Sequence, residues 1–82
     1  MSQRAKLLEA IRRNPADVRL SDAFKAAEMV GFLEKGGKGA HHAFARSGET
    51  MILNFQDRGD GRIPTYQAKQ LIVMLDKYLD QL

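Results

Sequence analysis

The chain has no cysteine. This excludes disulfides, thiolate zinc sites and thiol catalysis, and it agrees with a reducing compartment. Long apolar runs are also missing. The longest, Leu71 to Leu75, falls far short of the roughly 20 residues that span a bilayer. The amino-terminal stretch is charged throughout and has no apolar signal core, so a cytoplasmic location is expected. There is no internal repeat and no low-complexity segment, which leaves an ordinary globular domain. One further absence is local: no acid lies between Glu34 and Glu49.

What is present fits one small domain of 82 residues. A domain of this size buries roughly 60–65% of its unfolded surface, so its stability margin is thin. Hydrophobic residues make up 44% and charged residues 28%, as in soluble globular proteins. The net charge is +3 and the pI about 9.5. A nucleic-acid partner is compatible with that bias, but the bias is too mild to decide the matter.

Hydrophobic periodicity divides the chain into six elements. Ser2 to Arg13 reads as a helix with Leu7, Leu8 and Ile11 on one stripe and a basic surround, ended by Asn14-Pro15. Ser21 is the expected cap of a second helix over Asp22 to Val30, with Gly31 as its C-terminal cap. Three strands follow: Phe32 to Lys35, His41 to Arg46, and Thr50 to Phe55, joined by turns at 36–39 and at Ser47-Gly48. Gln56 to Arg62 reads as a flexible polar loop. Pro64 opens a last helix from Thr65 to Gln81, with Leu71, Leu75, Tyr78 and Leu82 on its stripe, widened by Met74 and Leu79. The order predicts an α+β domain: a three-stranded antiparallel sheet with helices packed on one face.

The residues that carry chemistry concentrate between Lys35 and Arg46. This stretch holds three of the seven glycines, both histidines, and the cations Lys35, Lys38 and Arg46. Glycine admits backbone angles that a Cβ forbids, the cations favour an anion, and imidazole suits proton transfer near neutral pH. Chemistry on a phosphate backbone is the implied use. Gly36-Gly37-Lys38-Gly39 does not make a phosphate-binding loop of Walker type: counted from Gly31, the lysine position falls on Gly37, and no Ser or Thr follows Lys38. It reads equally as a hairpin turn. His41 and His42 are neighbours on a strand and should face opposite ways, so they make a poor metal pair, and no metal is expected. His42 shares a strand face with Phe44 and should sit at the rim of the core beside the turn. It reads either as a proton-transfer group or as a packed histidine bonded to a carbonyl. Asp57-Arg58-Gly59-Asp60-Gly61 lacks the spacing of a calcium loop.

Lys38-Gly39-Ala40-His41-His42-Ala43-Phe44, with Val30-Gly31-Phe32 at the preceding helix end, resembles the core of the HicA family of toxins. The family's serine is Ala40 here, and the usual Val-Pro-x-His strand ending is absent downstream. Ile52-Leu53-Asn54-Phe55-Gln56 and Pro64-Thr65-Tyr66-Gln67-Ala68-Lys69-Gln70-Leu71 look like a branch of the family rather than its commonest form. The resemblance spans roughly Ser21 to Leu82. It implies an α-β-β-β-α fold similar to double-stranded RNA-binding domains, with residues 1–20 as an extra amino-terminal helix and linker within a single domain 1–82. It implies a toxin that cleaves messenger RNA without metal or other cofactor, silenced by a HicB-like antitoxin protein. The catalytic histidine of the family carries over to His42. Lys35, Lys38, Gly39, His41 and Arg46 are the expected RNA contacts. The alternative expectation is a non-catalytic RNA-binding module of the double-stranded type.

Overall fold

The computed structural model describes residues 2–79. The first helix, α1, runs over Gln3–Arg13. Ser2 caps it by accepting a hydrogen bond from the Ala5 N–H at 3.1 Å, which satisfies one of the free donors at the helix start. Leu8 and Ile11 are buried and Leu7 packs at the margin. Asn14 ends the helix, and Pro15–Asp17 forms a single 3₁₀ turn.

The second helix, α2, spans Leu20–Met29. It begins before the position expected from Ser21, and no side chain caps it: Arg19 is the cap residue. The physical reason is tertiary. Arg19 forms an isolated antiparallel bridge with Arg62, and the Leu20 N–H donates to the Gly61 carbonyl at 3.0 Å. A backbone partner from a distant loop thus does the work expected of a hydroxyl. The other end agrees with the sequence. Gly31, at φ +87°, donates to the Glu28 carbonyl, and Phe32 donates to that of Ala27, each at 3.0 Å. This is a Schellman motif, which glycine favours at the left-handed position.

Three strands follow: β1 over Leu33–Gly36, β2 over His41–Ala45 and β3 over Leu53–Gln56. They form an antiparallel meander in that order. All are near their expected places, but β3 starts later than Thr50. The residues before it are drawn away from the ladder, because the Met51 N–H donates to the Glu49 carboxylate at 2.8 Å. The last helix, α3, spans Thr65–Tyr78. The expected extension to Gln81, and Leu82 on its stripe, lie outside the described residues. Phe32, Phe44, Leu53, Phe55, Ile63, Leu71 and Leu75 are the large side chains that fill the core with Val18. Phe44 of β2 and Leu53 and Phe55 of β3 are buried, while β1 is exposed throughout, Leu33 at 65%, and Ile52 just before β3 is 46% exposed. The buried face is that of β2 and β3, and the other face is open to solvent. The α+β architecture is as expected. No helix among the described residues is long and apolar enough to cross a membrane.

Candidate functional site

The turn between β1 and β2 is built on backbone that only glycine supplies easily. Gly37 sits at φ +128° and Gly39 at φ +61°. A Cβ on Gly37 would lie 2.1 Å from the His41 carbonyl oxygen, so the turn folds flat against the start of β2. The His41 N–H closes it by donating to the Lys38 carbonyl at 3.1 Å. Register is regular at first, with Leu33 opposite Ala45 and Glu34 opposite Phe44. It then shifts, so that Gly36 faces Ala43. Lys35 is the extra residue of this bulge, a feature that re-aims side chains at sheet edges. Lys35 and Lys38 are both exposed.

His42 lies opposite Phe55 on β3 and on the same face as buried Phe44. Its ring meets that of Phe24, from α2, edge-on at 4.9 Å between centroids. Its Nδ1 is 2.7 Å from Oε2 of Glu34. The imidazole side chain is 29% exposed and that of Glu34 49%. His42 therefore stands at the rim of the core, with a carboxylate on one ring nitrogen rather than a backbone carbonyl. Glu34 is the residue that sequence reasoning missed. Its only signal was positional: once the hairpin is paired, it lies diagonally across from His42, within reach of a long side chain.

The other candidates divide. His41 is exposed on the opposite face of β2, across from Gln56, so the two imidazoles do not converge. Gly39 has open space around it. Arg46, just past the far end of β2, acts as a brace. Its Nε donates to the Val30 carbonyl at 2.8 Å and Nη1 to the Ser47 carbonyl at 3.2 Å. Its guanidinium lies 3.8 Å from the centre of the Tyr78 ring, a cation–π stack. Gly31 lies beneath it, where a Cβ would come within 3.1 Å of Nε. Even so, Arg46 and Lys35 border a common surface depression of about 490 Å³, together with Leu33, Glu34 and Ala45.

Two further clusters are structural in their bonding. Glu49 accepts from Lys77 Nζ at 2.7 Å, from the Tyr78 hydroxyl and from the Met51 N–H. The Lys77 hydrogen bond first, then those from Tyr78 and Met51, hold its carboxyl down to about 2 against the opposing effect of burial. In the 57–62 loop, Asp57 Oδ1 accepts from the Gly59 and Gly61 N–H groups at 2.7 and 2.9 Å. Arg58 binds Asp60 and reaches the Ala16 carbonyl at 2.8 Å. The loop expected to be flexible is thus tied to itself and to the 3₁₀ turn. Among the described residues, no three His, Asp or Glu side chains assemble as a metal-binding group. No family model, no curated protein and no solved structure matches the chain.

Proposed function

We propose that this chain is the toxin of a type II toxin–antitoxin pair, a HicA-like endoribonuclease that cleaves messenger RNA in the cytoplasm without a metal. The observation that carries the reading is His42: a partly exposed imidazole beside a glycine hairpin that carries exposed Lys35 at the end of β1 and exposed Lys38 in the turn, with Glu34 on its Nδ1. The order of α2, the three strands and α3 is the order of a double-stranded-RNA-binding-like fold, to which α1 adds a further helix. The resemblance of Lys38 to Phe44 to the HicA core supplies the substrate class.

In this mechanism Nε2 of His42 takes the proton from a ribose 2′-hydroxyl. The 2′-oxygen forms a bond to the adjacent phosphorus, and the bond from phosphorus to the 5′-oxygen breaks. The products are a 2′,3′-cyclic phosphate and a 5′-hydroxyl, the leaving oxygen taking a proton from solvent. Lys35 and Lys38 offset the charge that develops on the phosphorane, the place where fixed cations count most. Arg46 borders the same surface while bracing α2 against α3. Gly39 lets the RNA backbone approach the turn, and His41 contacts RNA from the other face. A HicB-like antitoxin silences the toxin by covering this strip.

The competing reading, a non-catalytic RNA-binding module, shares the element order. Such modules contact duplex RNA with basic loops and helix ends. Here α3 opens with Pro64-Thr65-Tyr66, and Lys69 is the one cation of its first two turns. Replacement of His42 separates the two. His42→Ala should lower RNA cleavage by about 10²–10⁴-fold, the usual share of one proton-transfer group. RNA affinity should be retained, and His41→Ala should cost less. A folded His42→Ala protein that still cleaves at the wild-type rate would remove His42 from the mechanism.

A further inference from the structure

A histidine that serves as a base must present a lone pair to the substrate. Neutral imidazole carries one proton, on either nitrogen, and the partner of one nitrogen decides what the other can do. In this protein the partner of Nδ1 is a carboxylate, which accepts and cannot donate when ionised. We infer that Glu34 is the positioning residue of His42: it holds the proton on Nδ1, leaves Nε2 as the basic nitrogen, and fixes the plane of the ring. This inference rests on the reading of His42 as the base.

Three features of the hairpin support it. First, the contact is short and specific, 2.7 Å from Nδ1 to Oε2. Second, the pair is set by the strand register. Glu34 faces Phe44, so it projects on the face that also carries His42, one pleat away. Third, the bulge at Lys35 brings glycine alongside the histidine. Gly37 packs against the His41–His42 peptide, where its Cβ would lie 3.2 Å from the His42 Cα. Only a residue without a side chain lets the turn lie this close to the backbone that carries His42. Phe24 closes another side of the ring by its edge contact. The imidazole is thus held between an aromatic ring and a carboxylate, with Nε2 as the remaining polar atom.

The carboxylate has a second effect. When Nε2 gains the 2′-hydroxyl proton the ring becomes an imidazolium, and a negative partner on Nδ1 stabilises that charge without itself taking the proton. Glu34 then contributes to the chemical step and little to RNA affinity. A carboxylate beside a phosphate-binding strip should, if anything, weaken binding. An ordinary surface ion pair would contribute to neither, because exposed pairs are worth little.

The test uses the full chain and a long in vitro RNA transcript as probe, with Glu34→Gln and Glu34→Leu. Cleavage is measured at saturating enzyme, RNA affinity separately, and the tautomer of His42 by ¹⁵N NMR. Glu34→Leu should lower the cleavage rate roughly 10–100-fold, by analogy with the loss of a metal-bound histidine's carboxylate partner. RNA affinity should stay within about twofold. The neutral ring should move away from the Nδ1–H form. Glu34→Gln keeps an acceptor oxygen on Nδ1, so it should retain that form and recover part of the rate. A Glu34→Leu protein with wild-type rate and an unchanged tautomer would overturn the assignment, as would an equal loss of rate and RNA affinity. If the wild type cleaves no RNA, the ribonuclease reading falls by itself. The tautomer still decides the pair: loss of the Nδ1–H form in Glu34→Leu supports it, and no change overturns it.

Discussion

Gly37 is the residue on which the geometry of the turn depends most sharply. At φ +128°, with its Cβ position 2.1 Å from a backbone oxygen, it admits no side chain unless the turn moves. Gly39, also at positive φ, has open space around it. Gly37→Ala should therefore cost more stability than Gly39→Ala. For Gly39→Ala the left-handed backbone alone costs about 1–2 kcal/mol. Urea unfolding of the two variants checks the ranking, and equal midpoints would contradict it. The glycines, the lysines and His42 were legible as candidates in the sequence because residue type and immediate neighbours alone single them out. Glu34 was not. Its role depends on the hairpin register, and a carboxylate eight residues from a histidine carries no local signal. Arg46 was legible as a cation but not as a brace, because its partners, the Val30 carbonyl and the Tyr78 ring, belong to other elements.

At the level of elements, periodicity placed the three α-helices and the three strands of the described residues but not the 3₁₀ turn at Pro15–Asp17, while the ends were fixed by contacts that periodicity does not encode. The start of α2 is set by the Gly61 carbonyl. The start of β3 is set by Glu49, which pulls the 46–52 connection toward α3 through Lys77 and Tyr78. Glu49 gives this connection a pH dependence whose sign is fixed. Its folded value of about 2 lies below the ordinary 4.5, so its contribution is complete above about 4.5. That contribution is lost as pH falls toward 2. Glu49→Gln should be less stable than wild type at neutral pH, and the difference should shrink between pH 4.5 and 2. Thermal unfolding of both proteins across that window measures it. A difference independent of pH would mean that the charge of Glu49 does not anchor the connection.

For the whole molecule, the fold class followed from element order because a three-strand meander and amphipathic helices have few ways to share one core. The identity of the substrate did not follow from bulk properties, since a net charge of +3 is compatible with many partners. The proposed RNA substrate rests on the resemblance of Lys38 to Phe44 to the HicA core, and the placement of His42, Glu34, Lys35 and Lys38 at one hairpin of the sheet is consistent with it. An open sheet face with Leu33 and Ile52 exposed lies next to this hairpin, where the proposed antitoxin would have apolar surface to bury. The central claim is that His42 drives attack by the RNA's own 2′-hydroxyl. Product ends test it most directly, after incubation of RNA with wild type and His42→Ala in excess chelator. The account predicts 2′,3′-cyclic phosphate and 5′-hydroxyl ends with wild type, and about 10²–10⁴-fold slower cleavage with His42→Ala. Ends bearing a 3′-hydroxyl, or the same cyclic products at the same rate from His42→Ala, would contradict it.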